Sequence, residues 1–175
     1  MFKVVQQDIL TLVNEVDVVV CSCNPAMRSA GGVCGVIHRA AGRGLANYLF
    51  AHRPFGLHTT EVEVTPGFEL GVPIIHAVAP VWGVYKARHL NMELLANTYS
   101  NVFNEAHRNE WLRIAVPSLA TGIYKFPIKD AAEVVAEVLT FYPDLDITLT
   151  VLEDEYYHVY SEMHSSLPTS PTGRS

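Results

Sequence analysis

Short runs of apolar and β-branched residues alternate along the chain with longer amphipathic stretches. Six runs predict strands: Lys3 to Gln6, Asp17 to Cys21, Glu61 to Thr65, Pro73 to Val78, Arg113 to Ser118 and Asp146 to Leu152. The runs around Val18 and Ala115 have no polar face, which is typical of central strands covered by helices above and below. The pattern therefore predicts an α/β protein built in layers.

Helical periodicity marks the segments between these runs. Apolar residues recur every three or four positions from Leu90 to Ala106 and from Ala131 to Leu139, which predicts a buried face on each helix. A third helix begins near Val33 and reaches Gly42, where glycine should break or restart it. A last helix is predicted from about Asp154 to Met163.

Composition limits the domain organisation. The 175 residues are 49% hydrophobic and 17% charged, which is typical of one globular domain. We expect a single domain over residues 1–164, because residues 165–175 contain Ser, Pro and Thr with little to bury and predict a flexible tail. A monomer is expected.

Charge and hydropathy limit the partners. The 12 basic and 18 acidic residues give a net charge of −6, so an extended nucleic-acid-binding surface is not expected and an anionic ligand would need a local site. The chain has no secretory leader pattern and no apolar run near the roughly 18 residues of a membrane span. The sequence predicts a cytoplasmic protein with no membrane partner.

Cysteine and histidine are the candidate metal ligands. Cys21, Cys23 and Cys34 are clustered and odd in number, which suits free thiols in a reducing compartment. Their spacing, even with His38, does not predict a zinc site, so neither a metal nor a cofactor is expected. His38 and His76 lie in apolar stretches, and we expect each to satisfy a hydrogen bond in the interior.

Two segments join a strand to a helix through a loop of small residues. They run from Cys21 to His38 and from Pro117 to Pro127. Each alone could be a simple turn, but free backbone N–H groups at such places can hold phosphate. Together they predict two loops that close over one ligand, and the second should depend on the backbone conformation of Gly122. The dinucleotide fingerprint and the Walker motif are both missing.

Four motifs of this chain resemble the motifs of a known family and occur in the same order. Val5-Gln-Gln-Asp8-Ile9 is similar to an opening Gly-Asp-Ile segment. The block from Cys21 to Gly42 is similar to Asn-Ala-Ala-Asn, a Gly-rich turn and Ile-His-Arg-Ala-Ala-Gly. Ile75 to Trp82 resembles a middle strand of that family, and Pro117 to Pro127 resembles its second ligand loop. The chain thus resembles the macro domain family of ADP-ribose binders and ADP-ribosyl hydrolases from Val4 to about Met163.

The resemblance implies a three-layer α/β/α sandwich with a central mixed sheet, and it implies roles for residues. Asp8 would accept from the adenine amino group with the Ile9 backbone beside it, and Leu152 stands where an aromatic often stacks on adenine. Asn24 would hold the distal ribose and serve catalysis. The residues implied around the diphosphate are Gly31, Gly32, Val33, Ser118, Thr121, Gly122, Ile123 and Tyr124.

One departure from the family pattern bears on mechanism. Cys34 stands at the position of an aspartate that activates water in one hydrolytic branch. It could replace that acid as a thiolate at a helix start, or it could be a buried neutral thiol. Hydrolysis of ADP-ribosyl linkages, on protein or in acylated ADP-ribose, is therefore expected beside the alternative of a non-catalytic reader of ADP-ribosylated protein. A pocket adapted to another nucleotide is a third possibility.

Overall fold

Residues 1–167, which the computed structural model describes, form six strands, five α-helices and two short 3₁₀ turns. The strands are β1 Phe2–Gln6, β2 Val18–Cys23, β3 Val62–Thr65, β4 Ile74–Val78, β5 Arg113–Pro117 and β6 Asp146–Val151. The helices are α1 Gly32–Ala41, α2 Arg43–His52, α3 Arg88–Arg108, α4 Ile128–Leu139 and α5 Asp154–Ser166. The predicted tail falls on residues 165–175, of which 165 and 166 belong to α5 and 168–175 lie outside the described residues.

All six predicted strands and the predicted helices are confirmed, with small differences at their ends. Gly42 has a φ of +83°, a left-handed conformation that ends α1 and lets the chain restart as α2. Within residues 1–167, no helix is both long enough and apolar enough to cross a membrane.

The strands form one sheet in the order β1-β6-β5-β2-β4-β3. β3 runs antiparallel to β4 and the other pairs are parallel, which confirms the predicted mixed sheet. The carboxyl ends of five strands therefore meet at one edge, where open α/β sheets bind their ligands.

The core has two halves, one on each face of the sheet. Along β2, Val18 and Val20 point toward α3, α4 and α5, whereas Val19 and Cys21 point toward α1 and α2. All four are at most 1% exposed, so the strand is covered on both faces. Each such side chain contributes on the order of 2 kcal/mol through burial. The three layers of the α/β/α sandwich follow from this alternation.

Candidate functional site

The predicted ligand residues follow the carboxyl ends of neighbouring strands. Asp8 comes after β1, Leu152 after β6, Ser118 after β5 and Asn24 after β2. Because β1, β6, β5 and β2 are consecutive in the sheet, these residues form a row along one edge. The row crosses three strand spacings, about 14 Å. Four segments far apart in sequence are thus brought into one cleft.

The first loop, between β2 and α1, is fixed by the side chain of Asn24. Its Nδ2 donates to the Arg28 carbonyl at 2.8 Å, and its Oδ1 accepts from the Arg28 N–H at 3.3 Å. Asn24 is therefore a turn residue, which is one of the interpretations of its place before Pro25. The half-exposed amide keeps one N–H and one oxygen lone pair for a ligand.

Helix α1 begins at this loop with its amino terminus open. Gly31 is the N-cap residue and provides no side-chain cap, and Gly32 has a φ of +64°. A Cβ on either glycine would meet nothing within 4 Å, and both are exposed, while Val33 is half-buried. The N–H groups of the first helical turn therefore face open space, where an anion can accept from them.

The second loop, between β5 and α4, is held from beneath by helix α5. Ser118 Oγ lies 2.7 Å from Thr121 Oγ1 and 2.7 Å from the hydroxyl of Tyr160. The Tyr156 hydroxyl donates to the Thr121 carbonyl at 2.8 Å. Burial raises the pKa of Tyr160 to about 12, so its hydroxyl keeps its proton at neutral pH. These bonds order the start of the loop before any ligand binds.

The middle of the second loop, at Gly122 and Ile123, is exposed. Ile123 is 82% exposed, and a Cβ on Gly122 would meet nothing within 4 Å. The left-handed residues of the loop are Ala120, with a φ of +69°, and Lys125, with a φ of +60°. Gly122 is not among the left-handed residues, so the dependence of loop closure on Gly122 stays a prediction that rests on its missing side chain. The space into which a side chain at position 122 would project is empty.

Tyr124 connects the two loops. Its carbonyl accepts from the Trp82 N–H at 2.9 Å, which fixes its backbone. Its phenol is half-buried, and burial together with the nearby thiols of Cys23 and Cys34 raises its pKa. The phenol therefore lies near the thiols of Cys23, at the end of β2, and Cys34, in the first turn of α1.

Asp8 and Leu152 form the far end of the row. The Leu10 N–H donates to Asp8 Oδ1 at 2.9 Å, so Asp8 caps the 3₁₀ turn Ile9–Leu12 and keeps its second oxygen free. Ile9 is 3% exposed, so its side chain belongs to the core. Leu152 is 63% exposed, and its carbonyl accepts from Gln6 Nε2 at 3.0 Å. This end is open to solvent and combines the apolar Leu152 side chain with the polar side chains of Gln6 and Asp8.

Cys34 lies beneath the first loop rather than at its surface. It is 4% exposed, and its thiol donates to the Arg28 carbonyl at 3.6 Å. The neighbouring Cys21 thiol and, to a lesser extent, His38 lower the pKa of Cys34 to about 5, while the pKa of Cys21 is raised well above its ordinary value. The residue is thus buried, as one interpretation predicts, and prone to ionise, as the other predicts.

The structure also brings together residues that the sequence did not connect. Cys21 Sγ and one ring nitrogen each of His38 and His76 lie within 4.8 Å of one another. His76 Nε2 hydrogen-bonds to Thr65 Oγ1 at 2.9 Å, which confirms the expected interior hydrogen bond. His38 Nε2 and His76 Nδ1 have no partner among the described residues, so that expectation is wrong for these two atoms. The sequence contains one signal for a cysteine–histidine group on α1, which is the four-residue spacing of Cys34 and His38.

Comparison with known proteins gives a consistent result. The family model described as Macro domain matches residues 20–135. A macro domain-containing protein of Lactiplantibacillus plantarum is 37% identical, with 94% of this chain and 96% of the relative covered. A protein of Klebsiella pneumoniae named O-acetyl-ADP-ribose deacetylase is 34% identical, with 95% of this chain and 97% of the relative covered.

Solved structures agree in fold. The Oceanobacillus iheyensis macrodomain with ADP superposes with a TM-score of 0.84 at 31% identity, covering 95% of this chain and 90% of its own. The Trypanosoma brucei macrodomain in complex with ADP-ribose has a TM-score of 0.79 at 23% identity, covering 92% and 68%, and this likeness concerns the fold alone. Sequence and structure together place this chain in the macro domain family.

Proposed function

We propose that this protein binds ADP-ribose along the row of strand ends and hydrolyses a linkage on its distal ribose. One observation carries the proposal. The strand order β1-β6-β5-β2 puts Asp8, the second loop and Asn24 in one row. This row supports binding of ADP-ribose in its own linear order, with adenine at Asp8, the diphosphate at the loops and the distal ribose at Asn24. The relative named O-acetyl-ADP-ribose deacetylase favours acylated ADP-ribose as the substrate class.

The diphosphate binds between the two loops. The open amino terminus of α1 at Gly31 and Gly32 supplies unpaired N–H groups and the positive end of the helix dipole. The backbone from Ser118 to Tyr124 closes the other side. Such aligned N–H groups hold a dianion on a protein of net charge −6, because the field that the anion meets is local.

The adenine lies at the β1 end. The free carboxylate oxygen of Asp8 accepts from the adenine amino group, while its other oxygen keeps the cap on Leu10. Leu152 covers the base with apolar surface but lacks an aromatic face, which weakens this end of the site by roughly 1 kcal/mol relative to a stacked ring.

The reaction takes place at the β2 end. Asn24 uses its remaining N–H and oxygen to hold the distal ribose, so that water can attack the acyl carbon. The ester bond breaks, the ribose oxygen leaves and takes a proton, and the products are a carboxylate and ADP-ribose. Because the Cys34 sulfur is buried below the loop, the substrate's own phosphate accepts the proton of the water, and we expect a modest rate.

A reader of ADP-ribosylated protein is the second candidate. It is favoured by the burial of Cys34, which leaves the β2 end without an exposed acid or base at the position of the family's aspartate. A reader would bind ADP-ribose with the same residues and release nothing from it.

Single-turnover release of acetate from O-acetyl-ADP-ribose distinguishes the two. With enzyme in excess, the wild type should release acetate faster than buffer does, and Asn24→Ala should slow release at least tenfold. Asn47→Ala, on the exposed surface of α2, is the matched control and should behave as the wild type does. Tight binding of ADP-ribose without any release would identify a reader.

Compartment and assembly are part of the proposal. The three cysteines, Cys21, Cys23 and Cys34, are free thiols. Free thiols are stable in a reducing environment, which supports a cytoplasmic site of action. We propose that the protein acts there as a monomer, since one chain supplies all four segments of the row.

A further inference from the structure

A group of metal-ligating side chains lies behind the ADP-ribose cleft, within the fold. Cys21 on β2 and His76 on β4 are register partners on adjacent parallel strands, so their side chains leave the sheet on the same face. His38 on α1 packs over that face, and its ring centroid is 6.1 Å from that of His76. Cys21 and His76 are 0% exposed and His38 is 6% exposed.

The polar atoms of this group lack partners. His38 Nε2 and His76 Nδ1 are buried without a hydrogen bond among residues 1–167. A buried polar atom without a partner is destabilising, and a bound cation would remove that cost by accepting the lone pair of the ring nitrogen. Cys21 Sγ and a ring nitrogen from each histidine are already within 4.8 Å of one another. Zinc ligands stand roughly 3.3–3.8 Å apart in a tetrahedron, so small side-chain rotations would close the site.

Cys34 stands beside this group, but its sulfur is not one of the converging atoms. It lies four residues before His38, on the same face of α1, and its thiol donates to the Arg28 carbonyl at 3.6 Å. We propose that Cys21, His38 and His76 form a zinc site, since one thiolate and two imidazoles that converge within the fold suit Zn²⁺.

Two further features fit a metal site. Thr65 Oγ1 bonds to His76 Nε2 at 2.9 Å, and this type of second contact fixes the ring of a ligating histidine and leaves the other nitrogen for the metal. His38 also borders a surface pocket of about 240 Å³ with Met27, Arg28 and Phe50, which offers an entry path. The three ligand residues are buried, so the ion would hold β2, β4 and α1 together and would be shielded from bulk solvent.

The test is a titration of the reduced, full-length protein with Zn²⁺, followed by the absorption spectrum with Co²⁺ in its place. We expect one ion per chain, a rise in Tm with Zn²⁺, and the charge-transfer and intense d–d bands of tetrahedral thiolate-bound Co²⁺. Cys21→Ser and His76→Gln should each lose stoichiometric binding. Thr65→Val should weaken the affinity about 10- to 100-fold, as second contacts to metal-bound histidine do.

Cys23→Ser is the matched control. Cys23 lies on the same strand and is 3% exposed, but it is outside the group of converging atoms, so this variant should bind Zn²⁺ as the wild type does. The proposal is overturned if the reduced wild type takes up no stoichiometric Zn²⁺, or if folded Cys21→Ser and His76→Gln bind it unchanged. The Co²⁺ spectrum of the wild type alone decides the point if either variant fails to fold.

Discussion

The hydroxyl of Tyr160 lies 2.7 Å from Ser118 Oγ and so connects the last helix of the chain to the first residue of the second ligand loop. Ser118 passes the connection on to Thr121, whose carbonyl is held a second time by Tyr156. Helix α5 therefore orders a loop that lies about forty residues earlier in the sequence. Two tyrosines of α5, Tyr156 and Tyr160, position the loop between β5 and α4.

Removing that connection should weaken ligand binding. Tyr160→Phe should lower ADP-ribose affinity by about 3- to 10-fold and stability by about 1 kcal/mol, because the half-buried Ser118 hydroxyl loses one of its two side-chain partners. Tyr157→Phe is the matched control, since the Tyr157 hydroxyl makes no hydrogen bond within residues 1–167, and both quantities should stay at wild-type values. Calorimetric titration and urea denaturation measure the two effects. Equal affinities for the two variants would show that α5 does not order the loop.

ADP-ribose binding should be sensitive to a bulky or negatively charged side chain in the middle of the second loop, at Gly122. Gly122→Glu should abolish ADP-ribose binding and leave Tm unchanged, because the side chain would project into open space on the diphosphate side. Gly122→Ala is the control for the backbone, since Gly122 does not need a left-handed conformation, and it should bind within about tenfold of wild type. Thermal shift with ADP-ribose reports both. A folded Gly122→Glu protein that binds normally would place the phosphate elsewhere.

The proposed adenine end can be tested with one variant that should weaken ADP-ribose binding and one that should tighten it. Asp8→Asn keeps an oxygen for the Leu10 N–H but removes the charged acceptor, so it should weaken ADP-ribose about 5- to 10-fold at unchanged stability. Leu152→Phe adds a stacking face and should tighten binding about fivefold, equivalent to roughly 1 kcal/mol. Calorimetry on both variants is the measurement. If neither changes the affinity, the base does not lie between these two residues.

Stability at low pH should depend on Asp17. The Arg113 guanidinium at 2.8 Å, assisted by the N–H groups of Arg113 and Leu112, holds the pKa of Asp17 below its ordinary value. The stabilisation is therefore fully present above pH of about 4 and is lost as the pH falls through the folded-state pKa. Asp17→Asn should cost about 1 kcal/mol at pH 7 and less at pH 2, where more of the wild-type carboxyl is protonated, as measured by denaturant titration.

The control for that titration is Glu15→Gln, which removes an exposed carboxylate two residues away. It should leave the free energy of unfolding unchanged at both pH values. A gap between Asp17→Asn and wild type that was as large at pH 2 as at pH 7 would contradict the assignment of the effect to ionised Asp17.

The sequence predicted the layers well because their determinants are local. A run such as Val18, Val19 and Val20 cannot face water on either side, and the α3 and α4 periodicities extend over several turns. Strand order was not accessible in this way, because it depends on contacts between residues far apart, such as Cys21 with His76. The left-handed positions of the second loop were not predicted either, because they fall on Ala120 and Lys125, residue types that give no such signal.

In the candidate site, too, local features could be predicted from the sequence and contacts between distant residues could not. The loops were predicted from motifs of adjacent residues, whereas the support beneath them was not. Nothing near Ser118 in the sequence indicates Tyr160, and nothing near His38 indicates His76. Such contacts are set by how α1 and α5 pack on opposite faces of the sheet, which a single sequence does not specify.

Calorimetric titration with ADP-ribose tests the central claim most directly, because the proposed function rests on ADP-ribose binding along the row of strand ends. We predict one site per chain with a Kd in the micromolar range, about −7 to −8 kcal/mol, and much weaker binding of ATP and NAD. No heat and no thermal shift at millimolar ADP-ribose, or equal binding of all three nucleotides, would contradict the account.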